Sequence, residues 1–122
     1  MELTKAEEEI MHILWSIEKG FIKDILEYFD EPKPAYTTVA TIVKILEKKR
    51  FVSYKSYGNA YQFYPLISKH DYSKTHVNTI FNKYFKNSMK DVVSFFADNN
   101  KIKVNDIDDA IKLLTELKDK NL

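Results

Sequence analysis

The sequence predicts a mainly α-helical chain with a small β-hairpin. Three observations predict this class. Apolar residues recur at helical spacing through the first 50 positions, two aromatic β-prone runs flank Tyr57-Gly58-Asn59, and helical spacing returns after residue 70. The chain has 122 residues, which corresponds to one domain or to two small modules that share a core. We therefore expect two domains, residues 1–69 and residues 70–122.

The first helix is predicted from its start signal. Thr4 and Glu7 have the spacing of a capping box, in which each side chain accepts a hydrogen bond from the backbone N–H of the other residue. Apolar residues then recur every three or four positions, so the helix covers about residues 5–18. Gly20 stands where a residue in the left-handed conformation would end it.

Two further helices precede the hairpin. The second begins after Gly20 and ends before the stretch 30–34, because proline lacks an N–H and restricts the residue before it. The third covers about Tyr36–Lys49, and its outward side chains are hydroxylic or basic. In the hairpin, Gly58 and Asn59 are expected to supply the positive φ angles of a tight turn. This order predicts a winged helix-turn-helix domain, in which the third helix enters the DNA major groove and the hairpin forms the wing.

Residues 70–122 predict a C-terminal helical dimerisation domain. The absence of Gly and Pro from Asp71 to Ala97 predicts a single helix of about 26 residues, about 39 Å long. A last helix is expected to begin at Asn105, as its N-cap, followed by acidic residues. Two helices with this much apolar surface cannot bury it alone, so we expect a second copy of the chain to cover it; the alternative is that they fold back on the first module. The predicted dimerisation residues are Val77, Phe81, Tyr84, Phe85, Met89, Val92, Phe96, Ile107, Ile111, Leu114 and Leu117.

The distribution of charge indicates where DNA would bind. The formal net charge is only +1. Residues 1–31 carry three lysines against nine acids, however, and residues 32–69 carry seven basic residues against one acid. A basic segment of this kind is typical of a surface that binds a polyanion. The predicted DNA-binding residues are Thr37, Thr38, Thr41, Lys44, Lys48, Arg50, Lys55, Tyr57 and Asn59, of which the threonines would read bases and the others would contact the DNA backbone or the minor groove.

Two plainer interpretations remain open for these residues. Thr37 is also suited to cap the third helix, and the remaining threonines and lysines would then be ordinary solvated surface. A winged-helix domain that binds another protein instead of DNA is the alternative function.

Several other classes are excluded or disfavoured by composition. The chain has no cysteine, which excludes disulfides, thiol catalysis and thiolate metal sites. It has no apolar run long enough for a membrane span and no secretory signal at its start, so we expect a cytoplasmic protein. No catalytic motif, metal-ligand spacing or phosphate-binding loop is present, so no enzyme activity, cofactor, metal or small-molecule substrate is predicted.

Three segments resemble the BlaI/MecI/CopY penicillinase-repressor family. The segment Leu3–Trp15 is similar to the opening signature of that family, Thr38–Lys49 resembles its recognition helix with a Thr-x-x-Thr pair, and Tyr61–Ser68 resembles the end of its wing. Ile45 stands where the family commonly has arginine, and Arg50 where it commonly has glycine. Glu8 and Asn59 also depart from the usual residues, an aromatic and an arginine.

The resemblance implies a homodimeric transcriptional repressor on a pseudo-palindromic operator. In many members of the family, a membrane sensor or protease system relieves repression by cleavage in the long dimerisation helix. The corresponding position here is Ser94-Phe95, where the antibiotic-resistance repressors have Asn-Phe. The copper-responsive branch uses a cysteine-rich metal site, so the lack of cysteine excludes that mechanism.

Overall fold

The protein is mainly helical with one two-stranded antiparallel hairpin, which confirms the predicted fold class. The computed structural model describes residues 3–120. In chain order the elements are α1 (Lys5–Ile17), α2 (Ile22–Glu27), α3 (Tyr36–Lys48), β1 (Val52–Tyr57), β2 (Ala60–Pro65), α4 (Lys69–Phe85), α5 (Met89–Asp98) and α6 (Val104–Asp119). The chain divides into two compact units, the first ending at His76 and the second beginning at Val77. None of the helices within residues 3–120 is both long enough and apolar enough to cross a membrane.

The start of α1 is the predicted capping box. The N–H of Glu7 donates to Thr4 Oγ1 at 3.1 Å, and the N–H of Thr4 donates to Glu7 Oε1 at 2.8 Å. The end of α1 differs from the prediction, because Glu18 and not Gly20 adopts the left-handed conformation, with φ of 72°. The N–H of Glu18 donates to the carbonyl of Leu14 at 2.7 Å, so the helix closes two residues before the glycine.

Gly20 instead allows the backbone to approach the hairpin closely. Its N–H donates to the carbonyl of Phe63 at 2.9 Å, and the N–H of Phe63 donates back at 2.8 Å. A Cβ at this position would lie 2.9 Å from Cδ1 of Ile17, closer than carbon atoms pack. The connector between α1 and α2 therefore acts as a short third partner of the sheet.

The core of the first unit forms where α1, α2 and α3 meet the hairpin. Its side chains come from the apolar stripes of the helices, from Phe51 and Val52 at the start of the hairpin, and from Phe63 of β2. Burying each large apolar side chain stabilises the fold by about 1.5–3 kcal/mol. The fully buried ones are Ile10, Met11, Leu14, Ile25, Val39, Val43, Leu46 and Val52. Because α3 contributes one face to this core, its opposite face is exposed.

The hairpin has the predicted position and a two-residue turn. Its register pairs Val52 with Pro65 at the base and Tyr57 with Ala60 at the tip. Gly58 has φ of 62°, as expected, but Asn59 is not among the residues with positive φ, so that part of the turn prediction was wrong. One positive φ at the first turn position is sufficient for a hairpin turn.

The long helix predicted after residue 70 is two helices, so that prediction was wrong. Lys86 and Asn87 adopt positive φ angles of 49° and 61°, which end α4. The hydroxyl of Ser88 then accepts a hydrogen bond from the N–H of Asp91 at 3.1 Å and caps α5. Asparagine tolerates the left-handed conformation, and Ser-x-x-Asp is a helix-start signal. The sequence therefore contained the break even without Gly or Pro.

The last helix begins two residues earlier than predicted. Its N-cap is Lys103 and not Asn105, and Asn105 lies inside the first turn of α6. The carboxylate of Asp106 accepts a hydrogen bond from the N–H of Lys103 at 3.3 Å. This backbone contact at the position three residues before Asp106 sets the start of the helix.

Candidate nucleic-acid interface

The exposed face of α3 carries hydroxylic and basic side chains. The buried residues Val39 and Val43 hold the helix against the core. The predicted contact residues of this helix all lie on its exposed side. They are Thr37, Thr38, Thr41, Lys44 and Lys48.

The three threonines are not helix caps. The N-cap of α3 is Ala35, which offers no side-chain acceptor, and Thr37 lies inside the first turn. The hydroxyl of Thr41 donates to the carbonyl of Thr37 at 2.9 Å, so the single donor of this exposed side chain is already in use. The capping alternative for Thr37 is thereby excluded.

One lysine at the end of α3 faces inward instead of outward. The ammonium group of Lys49 lies 2.8 Å and 2.9 Å from the two carboxylate oxygens of Glu7, near the start of α1. The Glu7 side chain is only 5% exposed, and that of Lys49 is 28% exposed. A basic residue of the predicted third helix was expected to face outward, and the pair could not be predicted because Lys49 and Glu7 are 42 positions apart in the sequence.

The same carboxylate is stabilised in its charged form. Burial by itself would raise the pKa of Glu7. The hydrogen bond and charge of Lys49, together with the N–H of Thr4, outweigh burial and hold the pKa below the ordinary value of a glutamate. The pair therefore fixes the C-terminal end of α3 against the N-terminal end of α1.

Arg50 directly follows α3 in a conformation that favours glycine. Its φ is 66°. The N–H of Phe51 donates to the carbonyl of Leu46 at 2.9 Å, and the N–H of Arg50 donates to that of Glu47 at 3.0 Å. These two bonds define a Schellman motif with Arg50 at its left-handed position. The side chain of Arg50 is exposed next to the basic end of the helix.

The predicted wing residues lie near the tip of the hairpin. Lys55, Tyr57 and Asn59 are all exposed. The ammonium group of Lys55 lies 5.4 Å from the centre of the Tyr57 ring, which keeps the two together on one face of the wing. Asn59 and Lys44 line the same cavity, so the wing tip and the middle of α3 are neighbours.

Comparisons with known proteins place the chain in a family. The family model described as penicillinase repressor matches residues 3–116. The chain belongs to the penicillinase repressor family. The methicillin resistance regulatory protein MecI of Staphylococcus aureus strain N315 is 24% identical over 116 residues, which is 94% of each chain. A penicillinase repressor of Bacillus licheniformis is 19% identical over 120 residues, covering 98% of this chain and 94% of that protein.

Two solved structures overlap the chain in part. One, titled CopR repressor structure, has 25% identity and a TM-score of 0.46, and covers 56% of this chain and 100% of its own. The other is BpsR of Bordetella bronchiseptica, from work on regulation of its DNA binding by 6-hydroxynicotinic acid. It has 13% identity and a TM-score of 0.47, and covers 97% of this chain and 76% of its own.

The family confirms the resemblance drawn from the three sequence segments. It also sets the class of the protein, because its members are DNA-binding transcriptional repressors and not enzymes.

The second unit of the repressor carries the predicted dimerisation residues. Within residues 77–120 no side chain reaches full burial. Half-buried members of the predicted set are Phe81, Phe85, Val92 and Leu117. Exposed members are Val77, Tyr84, Met89, Phe96, Ile107, Ile111 and Leu114.

Ser94 and Phe95 lie within α5. Both are exposed, and the ring of Phe95 contacts those of Phe85 at 5.6 Å and Phe96 at 5.5 Å between centroids. The bond that joins Ser94 to Phe95 is thus in a helix, between exposed side chains.

Several exposed residues beside the interface were missed by sequence analysis. Tyr36, the first residue of α3, is 55% exposed, and Ile45 is 40% exposed on the outer side of the same helix. Lys23 of α2 lines a cavity together with Lys44. Helical spacing alone would have placed Tyr36 and Ile45 outside the apolar stripe, whereas nothing local in the sequence brings Lys23 near α3.

Proposed function

We propose that this repressor is a homodimer that binds a pseudo-palindromic operator through two copies of α3. Residues 1–69 form the DNA-binding domain and residues 70–122 the dimerisation domain, and the protein acts in the cytoplasm. The observation that carries the proposal is the exposed Thr and Lys face of α3, held rigidly by its buried face. A helix presented in this way fits the major groove of DNA.

The threonines are proposed to read base edges. Thr37 and Thr38 lie at the N-terminal end of α3, which is the end that contacts bases in helix-turn-helix proteins. Thr41 lies one turn further, and the methyl group of this exposed side chain is suited to contact a thymine methyl group. Each well-formed side-chain contact to a base is worth about 1–3 kcal/mol of discrimination.

The basic residues are proposed to bind the phosphate backbone. Lys44 and Lys48 flank the threonines along the helix, and Arg50 extends the same basic face. Within the described residues 3–120 none of the three forms an ion pair with an acidic side chain, so their charges remain for the polyanion. In the wing, Lys55, Tyr57 and Asn59 are proposed to contact backbone or minor groove; this gives the operator a second contact beside the major groove.

Dimerisation is supported by the exposed apolar faces of the second unit. Ile107, Ile111 and Leu114 recur along α6 and are 46%, 57% and 58% exposed. A stripe of this length on a soluble chain is typical of a protein interface. A second copy of the chain is the simplest partner, because an isologous interface requires only one surface.

Relief of repression by cleavage is proposed at Ser94-Phe95, through a membrane sensor or protease system. Exposure of both side chains supports access by a protease, although the helix must open locally first. Expression of the repressor with a neighbouring sensor protease and its inducer tests this. Derepression with an intact chain would reject cleavage.

A binding experiment tests the DNA proposal. Mobility shifts are measured with the DNA upstream of the gene and with random DNA, across a range of salt concentrations. We expect a preference for the upstream DNA and a linear loss of affinity with the logarithm of salt concentration. No shift at low salt would favour a protein-binding adaptor.

A matched pair of variants tests base reading. Thr41→Ser removes the methyl group on the proposed contact face and keeps the hydroxyl that donates to the Thr37 carbonyl, and Thr115→Ser makes the same change in α6, where the hydroxyl also donates to the carbonyl four residues earlier. We expect only Thr41→Ser to lower the preference for operator over random DNA. Equal loss on both DNAs would reject the assignment.

A further inference from the structure

A cavity lies between α2, α3 and the wing of the first unit. Its volume is about 420 Å³. This is within the range of about 300–1,000 Å³ that is typical of small-molecule sites. Two of its ten lining residues, Lys44 and Asn59, are proposed DNA contacts, and the other eight have no proposed role in DNA binding.

The floor and walls of the cavity are apolar and aromatic. Ile22 and Phe63 form buried parts of the floor, at 8% and 5% exposure. Phe21 lies half-buried beside them, and the exposed rings of Tyr36 and Tyr61 stand at the rim. Faces of aromatic rings favour a flat, apolar body between them.

The charged groups at the rim are all positive. Lys23 of α2 and Lys44 of α3 line the cavity, and none of its described lining residues is acidic. Neither lysine forms an ion pair within residues 3–120. Asn59 adds an amide at the tip of the wing. The rim is therefore complementary to an anion.

The walls are fixed to one another before any ligand binds. The two hydrogen bonds that join Gly20 and Phe63 tie the start of α2 to the wing, at 2.9 Å and 2.8 Å. The N–H of Phe21 donates to the carboxylate of Asp24 at 2.9 Å, and the ring of Tyr61 stacks on that of Tyr54 at 4.4 Å. A preformed site loses little entropy on binding.

We propose that this cavity binds a planar organic anion, an aromatic carboxylate of about the size of naphthoate, and that its occupant excludes DNA. A DNA phosphate would use the lysines but would leave the apolar floor and the aromatic walls without a contact. Because Lys44 and Asn59 belong to both surfaces, ligand and DNA compete. The competition, but not the ligand site, rests on the proposed function.

Titration of the full chain with naphthoate tests the site without DNA. Two-dimensional amide NMR spectra are recorded with naphthoate, with neutral naphthalenemethanol and with inorganic phosphate. We expect naphthoate to shift the amides of Lys23, Ala40 and Ala60, and the other two probes to shift them less. Equal shifts from phosphate would mean a simple anion site and would overturn the proposal, as would the absence of shifts at millimolar naphthoate.

A lysine pair gives the matched control. Lys23 lines the cavity, whereas the nearby exposed Lys19 does not, and neither is a proposed DNA contact. Lys23→Gln is expected to weaken naphthoate binding about threefold to fivefold, the usual effect of one exposed ion pair, and Lys19→Gln to leave it unchanged. Equal effects of the two substitutions would overturn the role of Lys23.

The competition is measured separately on DNA. At constant ionic strength, naphthoate is expected to weaken DNA binding by the wild-type repressor, and to do so less in Lys23→Gln. Naphthoate binding with unchanged DNA affinity would overturn the competition. If the chain bound no DNA at all, the proposed function would fail, and the NMR titration would still decide whether the cavity is a ligand site.

Discussion

Replacing Arg50 with glycine should raise the free energy of unfolding of the repressor and lower its affinity for DNA. The residue has φ of 66° in the Schellman motif that ends α3. Holding a non-glycine residue in this conformation costs about 1–2 kcal/mol. Glycine recovers that cost but loses roughly 0.4–1 kcal/mol to its greater freedom in the unfolded chain. The net expectation is a gain of about 0.5–1 kcal/mol in the free energy of unfolding.

Urea denaturation followed by tryptophan fluorescence measures the gain. The chain has a single tryptophan, Trp15, which lies in the same unit as Arg50 and hydrogen-bonds to the carbonyl of Ile67 at 2.8 Å. The midpoint of the transition should rise in Arg50→Gly, with no change of its slope. Arg50→Ala is the control, because alanine keeps the backbone cost and removes only the guanidinium group.

The two variants should lose DNA affinity to the same extent although their stabilities differ. Both remove the charge, so both should reduce the slope of log affinity against log salt by about 1. If Arg50→Gly is no more stable than Arg50→Ala, the backbone argument is refuted. If the salt slope is unchanged in both, Arg50 does not contact phosphate.

Four further predictions concern other parts of the molecule. Lys49→Met should lower the free energy of unfolding by about 2 kcal/mol at neutral pH, less than the roughly 3–5 kcal/mol of a fully buried pair because Lys49 is partly exposed. The pKa of Glu7 is lowered in the folded state, so the wild-type pair stabilises the fold above the ordinary glutamate pKa. This contribution is lost as the pH falls through the lowered pKa. Denaturation at a series of acid pH values should therefore show the free energies of unfolding of wild type and Lys49→Met approaching each other. Thr38→Ala should weaken operator binding by about 1–3 kcal/mol and leave random DNA unaffected, as measured by competitive mobility shift. Lys48→Ala should weaken binding to all sequences alike and reduce the salt slope by about 1, and a sequence-dependent loss would contradict a phosphate contact. Leu114→Glu should shift the molar mass in solution from dimer to monomer, and an unchanged mass by light scattering would exclude this face from the interface.

Local signals explain which parts of the fold could be predicted. The capping box of α1, the apolar stripe of α3 and the turn at Gly58 are each determined by residues within a few positions of one another. Prediction failed where a residue other than glycine adopts a positive φ at the end of a helix, as at Glu18 and Asn87. In both cases hydrogen bonds to the preceding helix turn outweigh the local backbone cost.

Long-range contacts explain what could not be predicted. The pairing of Lys49 with Glu7 and the bridge between Gly20 and Phe63 join elements that are distant in the sequence. The periodicity of apolar residues and the spacing of motifs are local patterns and cannot predict a contact between distant parts of the sequence. The charge count of the basic segment could not show that Lys49 is paired with Glu7, or that the ammonium group of Lys33 donates to three backbone carbonyls near the end of α2.

No side chain between residues 77 and 120 is fully buried, so the order of the second unit is expected to depend on the concentration of the protein. In the proposed dimer these helices would be stabilised by association, so the free energy of unfolding of the second unit would depend on the concentration of the chain. The first unit has its own core and does not share this dependence. At low copy number the winged domain would persist while α5 and α6 lose order, and operator occupancy would rise steeply once the cell holds enough chains to pair.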